Sequence, residues 1–299
     1  MDSIYKRVIF IWSIISLVLI QCCKSSPHRA LRNNLLQDYG VKIRPVNRTQ
    51  TRTNVTFRPL FVNLVEMDIK NQQFTLASEV KTVWKDEFLT WNTTEFDDTD
   101  TIYLPAESIW VPDITLFDSP AFTKYLPDSK VEIHSDGTVY WFYLALFTSR
   151  CAVYVKWFPF DTQVCIMSFT SWTYSGKELD LSPDLSKDGA QNNYLYDGVW
   201  DLVDIGVKKV TVKYACCENN FYILDYRLVF KRQPTFYINY MAVPVILLSG
   251  LSVTVFFLPP DMPSKLPFSI TNLLALAVFE QLVAEIIPPA ATNSPVIGE

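Results

Sequence analysis

Histidine and charge are both scarce in this chain. Of its 299 residues only two are His, and 19% are charged. Neither His28 nor His134 stands at ligand spacing from a cysteine, which argues against a zinc centre and leaves no metal site to expect. The net charge of −5 comes with no basic stripe, so a nucleic-acid surface is not expected either. There is no phosphate loop, and no paired acid with a poised base. An enzyme is therefore not expected, nor a resident cofactor. The longest absence is local: from Arg232 to Asp261 the 28 intervening positions carry no charge at all.

What is present begins with "MDSIYKRVIFIWSIISLVLIQCCKSS". Lys6 and Arg7 precede an apolar run from Val8 to Ile20, followed by small and polar residues. That is the layout of a secretory signal peptide over residues 1–25, with an N-terminal anchor helix as the alternative. Cleavage removes Cys22 and Cys23 and leaves an even set for an oxidising compartment: Cys151, Cys165, Cys216 and Cys217. Three acceptor triplets, at Asn47, Asn54 and Asn92, agree with secretion and glycosylation, and all precede residue 100.

Residues 26–235 read as an extracellular all-β domain behind a short helix in "HRALRNNLLQDYG". Runs such as "VTFRPLFVNLVEMDI", "FTLASEVKTVWKDEFLTW" and "GTVYWFYLALFTSRCAVYV" are separated by turn clusters such as "FDDTD" and "HSDG". Many short strands at this spacing predict a sandwich. The uncharged stretch predicts a first transmembrane helix over 236–258, with Tyr237 and Tyr240 at an interface. A second span over 264–288 is less uniform, because Thr271, Asn272, Glu280, Gln281 and Glu285 interrupt it. At roughly 100° per residue, Pro267, Thr271, Leu274, Val278, Leu282 and Glu285 share one face. Such a stripe suits a pore with Leu274 and Val278 as an apolar gate, or an amphipathic helix packed on protein. Residues 289–299 are expected to open a loop towards a third helix.

The stretch "CAVYVKWFPFDTQVC" carries the most specific signature, with Pro159 a candidate cis proline between Phe158 and Phe160. With "WKDEFLTW" and "IWVPDITLFDS" before it and "FTSWTYSG" and "PSKLPFSITNLLALAVFEQLVAEIIP" after it, in the family's order and at its spacings, the chain resembles the Cys-loop, or pentameric ligand-gated ion channel, family. The adjacent cysteines of "TVKYACCENNFYILDY" make it similar to α-type subunits of nicotinic acetylcholine receptors. The resemblance implies an immunoglobulin-like Cys-loop receptor ligand-binding sandwich followed by α-helical transmembrane segments. It also implies two bridges, Cys151–Cys165 and Cys216–Cys217. The first closes a loop worth about 3 kcal/mol by the chain-entropy estimate. The second joins Cα atoms about 3.8 Å apart and stiffens a flap tip without stapling it elsewhere.

By the same resemblance, Trp172, Phe117 and Tyr214 supply rings for a cationic agonist. Phe221 or Tyr222 completes the set beside Cys216 and Cys217, with spacing to Pro234 favouring Phe221. Phe117 stands where the family usually has tyrosine. A neighbouring subunit in the family usually contributes a tryptophan at a position held here by Glu79, which favours a heteropentamer. A coupling lysine–aspartate pair is replaced by Ser168 and Ile223, whereas Arg232 matches a coupling arginine. Ser264 precedes Lys265 at the inner mouth where cation channels carry glutamate, while Glu285 keeps a carboxylate at the outer mouth. Cation selectivity is the favoured side of an open question. The expected protein is a plasma-membrane, multi-pass subunit of a postsynaptic class, gated by an acetylcholine-like neurotransmitter in company with other subunits. The alternative is a non-conducting, membrane-anchored binding or modulatory protein; the absence of sequence for two further membrane helices leaves a fragment, a short isoform or lost channel function open.

Overall fold

A computed structural model describes residues 26–120, 124–125, 129–184, 198–259 and 261–286. The expected signal peptide and the 289–299 loop lie outside the described residues. The chain divides into two compact units, and residues 26–53, 83–111 and 129–141 form the first.

In the first unit, helix α1 (Pro27–Leu36) starts on a proline at its first turn, where the missing N–H costs nothing. It buries Leu31 and Leu35 and ends four residues before Gly40. Beyond it, the Tyr39 hydroxyl donates to Asp86 Oδ2 at 2.6 Å and accepts from the Trp110 amide at 3.1 Å. Asp86 also accepts the Phe88 and Leu89 amides. Burial raises the Asp86 carboxyl above its ordinary value, and burial beside that carboxylate raises the Tyr39 phenol. Gly137, at φ +85°, turns so close to this segment that a Cβ would meet the Asp86 carbonyl at 2.4 Å.

The second unit holds the rest. It contains β1 (Thr53–Asp68) from Asn54 onward and β2 (Gln73–Lys85) as far as Thr82. β3 (Thr101–Pro105) and β6 (Lys130–His134) belong to the first unit, where they pair in antiparallel register. The second unit also contains β4 (Ile114–Leu116), β5 (Lys124–Tyr125), β8 (Thr162–Ser171) and β9 (Leu179–Pro183). β7 (Thr138–Arg150), β10 (Trp200–Lys213) and β11 (Asn220–Arg232) complete the strands. One sheet runs β7-β2-β1-β9 here, and a second runs β10-β11-β8-β4. Strict alternation does the sorting: β2 buries every second side chain from Phe74 to Trp84, as period-2 geometry requires.

The two inner faces meet through rings. Phe169 of β8 lies 4.9 Å from Phe57 of β1, 5.0 Å from Phe147 of β7 and 5.8 Å from Tyr226 of β11. Each such pair adds about 0.5–1.5 kcal/mol beyond its burial. The Tyr226 hydroxyl, enclosed among them, donates to the Phe57 carbonyl at 3.0 Å, and burial raises its phenol above the ordinary 10.0. This is the expected β-sandwich.

Past β11 the chain becomes helical. Helix α2 (Thr235–Phe257) has 23 residues and α3 (Lys265–Ile286) has 22, each long and apolar enough to cross a membrane. α2 opens into a π-helical segment over Ile238–Ala242 immediately before Pro244. Proline cannot donate to the carbonyl one turn back, and a local widening absorbs that loss.

Candidate ligand site and its link to the membrane helices

Four segments of the second sheet carry the candidate rings. Strand β4 pairs with β8 from Ile114↔Ser171 to Leu116↔Phe169, so Phe117 and Trp172 leave opposite ends of the same short ladder. The Phe117 amide donates to the Ser168 carbonyl at 2.8 Å. Asp113 fixes the turn that carries Trp172: it accepts from Ser171 Oγ at 2.5 Å and from the Thr173 amide at 2.7 Å. Its backbone carbonyl accepts the Trp172 amide at 3.4 Å. Held this way by its backbone, the Trp172 ring stays 72% exposed.

The β10–β11 hairpin forms the flap. Its last pair is Lys213↔Asn220, and the Cys216–Cys217 bridge closes at the tip, where the Cys217 amide donates to the Tyr214 carbonyl at 3.2 Å. Tyr214 lies 6.5 Å from the Phe117 ring and 5.5 Å from Phe221. Phe117, Tyr214 and Phe221 are thus brought together. Tyr222, one residue along a strand, points the other way: its ring meets Gly176 and carries Lys209 Nζ 4.2 Å above its centre. Lys209 also pairs with Asp180. The structure therefore separates the two residues that the sequence left as alternatives.

At the Ser168 register the expectation of Ile223 needs correction. Ile223 is buried opposite Thr170, and the residue facing Ser168 is Asp225, whose carboxylate accepts the Ser168 hydroxyl at 2.7 Å. A carboxylate is present there although the lysine is not.

Below the flap, the Cys151–Cys165 bridge spans Cα atoms 5.0 Å apart, and the Phe158–Pro159 bond is cis. The loop it closes grips the end of β11. Arg232 Nε and Nη2 donate to the two oxygens of Asp161 at 2.7 and 3.0 Å, and Nη1 donates to the Tyr237 hydroxyl at 2.9 Å. The guanidinium lies 4.1 Å from the Trp200 ring and 5.0 Å from Phe158. Gln163 binds Asp161 at 2.5 Å and exchanges hydrogen bonds with the Tyr154 backbone. Arg232 was singled out in the sequence by resemblance. Its partner Asp161 was missed, although it closes the "FPFD" stretch.

On α3, Pro267, Thr271, Leu274, Val278 and Leu282 are all exposed and turned from α2; the Glu285 side chain lies outside the described ones. Ser264 is exposed, and its carbonyl accepts the Phe268 amide at 3.1 Å. Lys265 Nζ donates to the Leu258 carbonyl at 2.9 Å, at the end of α2. Asn47, Asn54 and Asn92 are exposed, as glycan acceptors must be.

An extracellular sandwich whose disulfide-closed loop holds, by a buried ion pair, the strand feeding two membrane-length helices defines a class: the ligand-gated receptor channels. The chain belongs to the neurotransmitter-gated ion-channel family, of channels rather than enzymes. Residues 28–234 match its ligand binding domain and residues 241–299 its transmembrane region. It is 34% identical over 270 residues to the human neuronal acetylcholine receptor subunit alpha-9, covering 90% of this chain and 56% of that one. It is 36% identical over 273 residues to the human subunit alpha-2, covering 90% and 51%. With ligand-gated ion channel 4 of Caenorhabditis briggsae it shares 35% over 274 residues, covering 90% and 43%. The chain thus spans about half the length of the curated relatives it matches.

Proposed function

We propose that this chain is the agonist-binding subunit of a cation channel opened by a small quaternary ammonium of the acetylcholine type. The observation that carries the reading is the convergence of Phe117, Tyr214 and Phe221, with Trp172 exposed on the adjoining turn. A quaternary ammonium has no hydrogen-bond donor, so ring faces are its natural partners, at about 0.5–2 kcal/mol each. The bridged tip supports the proposal, because a stiff flap loses little entropy when it folds over a ligand. Acetylcholine receptor subunits among the relatives support the ligand class.

The subunit works in a heteropentamer at the plasma membrane of a postsynaptic cell. Glu79 in place of an aromatic makes this chain a poor complementary face for its own cage. The stripe from Pro267 to Leu282, continued by Glu285, lines the pore. Lys265 is drawn to the Leu258 carbonyl at the end of α2, which leaves Glu285 as the charge on the pore stripe itself. One observation favours the alternative of a non-conducting, membrane-anchored binding or modulatory protein: Ser168 supplies Asp225 with a hydroxyl where a lysine would couple flap to strand.

Equilibrium binding of a labelled quaternary ammonium to surface-expressed receptor tests the cage. Trp172→Ala and Tyr214→Ala should each weaken binding about 2- to 30-fold, the cation–π range converted to affinity. Unchanged affinity in both variants would remove the cage from the account.

A further inference from the structure

Helices α2 and α3 meet along faces that are nearly all apolar, and Asn272 is the exception. Its side chain is buried at 8% exposure. Its amide donates to Ser252 Oγ at 2.5 Å and reaches the Leu248 carbonyl at 3.5 Å. Ser252 Oγ in turn donates to the Leu248 carbonyl at 3.1 Å. At membrane depth an unpartnered amide is costly, and polar side chains there face protein or a water-filled path. Here the amide faces a helix.

The rest of the contact does not select a rotation. Ala275, Leu276 and Phe279 on α3 are partly covered, as are Met241, Leu248 and Val255 on α2. Smooth apolar surfaces can slide past each other at membrane depth with little change in energy. The Asn272–Ser252 bond has one geometry only: turning α3 by a residue carries the amide away from its acceptor into hydrocarbon. With that bond made, Thr271, Leu274 and Val278 lie roughly 100–160° around the helix from Asn272 and point away from α2.

The geometry points to Asn272 and Ser252 as positioning residues that fix the rotation of α3 against α2 and so decide which of its side chains line the conduction path. This rests on the channel reading above. The carboxamide touches neither agonist nor permeant ion; it acts through Thr271, Leu274 and Val278.

The test uses the natural full-length product at the cell surface. First, Ser252→Cys with Asn272→Cys should cross-link under mild oxidation. Second, an impermeant thiol reagent should modify L274C and V278C but spare F279C. In Asn272→Val or Ser252→Ala backgrounds, modification should spread to F279C. Third, with conducting partners, each single variant should shift the half-activating agonist concentration by about 3- to 20-fold. The double variant should do no more than either single one, and the exchange S252N/N272S should restore the wild-type values. No cross-link despite surface expression, or a wild-type thiol pattern and activation in both single variants, overturns the proposal. The cross-link and thiol pattern need no current, so a silent receptor would count against the channel reading while these two results still decided the positioning role.

Discussion

Replacing Asp161 with asparagine removes one charge from a pair with no access to water. The side chains of Arg232 and Asp161 are 0% and 2% exposed, and both donors of the guanidinium fork lie within 3.0 Å of the carboxylate oxygens. Asparagine retains the shape but offers a single carbonyl acceptor, and it leaves Arg232 charged and buried. The Tyr237 hydroxyl at 2.9 Å and the Trp200 face at 4.1 Å remain, yet neither is an anion. Breaking a buried pair in this way costs about 3–5 kcal/mol. For a domain of this size each kcal/mol lowers the midpoint by about 2–4 °C, so Asp161→Asn should melt about 6–20 °C below wild type. Thermal unfolding of the detergent-purified chain reads the shift. Arg232→Lys should also destabilise it, because a point charge cannot span both oxygens. A loss under about 1 kcal/mol, the range of exposed pairs, would refute the reasoning that this pair holds loop to strand as a buried unit.

Two buried phenols, Tyr39 and Tyr226, lower stability in alkali, and the test removes Tyr226. Its folded-state value lies above the free 10.0, so its contribution is fully present below pH 10 and is lost as pH rises further. The melting temperature should therefore fall in alkali, and Tyr226→Phe should flatten that slope while costing about 1 kcal/mol at neutral pH for the lost hydrogen bond; an unchanged slope contradicts the assignment. Gly176→Ala would place a Cβ 2.8 Å from the Tyr222 ring and 3.0 Å from the Asn220 carbonyl. It should displace the root of the flap and weaken agonist binding, measurable by ligand displacement. Replacing both Cys216 and Cys217 with serine should loosen the tip and speed agonist dissociation with little change in melting temperature. Replacing Cys151 and Cys165 should cost about 2–5 kcal/mol and reduce surface expression.

The strands and both membrane helices could be read from the sequence because burial follows period directly: β2 alternates residue by residue, and a run of 28 uncharged positions has few other uses. The disulfide-closed loop was legible from its residues, but not what it holds, because Asp161 and Arg232 are 71 positions apart and meet only through strand pairing. Spacing to Pro234 favoured Phe221 over Tyr222 in the sequence, and the Lys213↔Asn220 pairing puts Phe221, not Tyr222, on the side of Tyr214. The same register places Asp225 rather than Ile223 beside Ser168. Asn272 was visible as a polar interruption of α3, but its meaning depends on Ser252, whose place on the facing side of α2 no periodicity announces.

A cationic agonist held by this cage should open a conducting pore. The most direct measurement is current evoked by acetylcholine from the natural full-length product expressed with candidate partner subunits, with surface expression quantified in parallel. An inward current is expected that disappears in Trp172→Ala at unchanged surface level and whose reversal potential ignores chloride substitution. Silence with every partner, at normal surface level and with agonist binding intact, would contradict it and leave a receptor that binds without conducting.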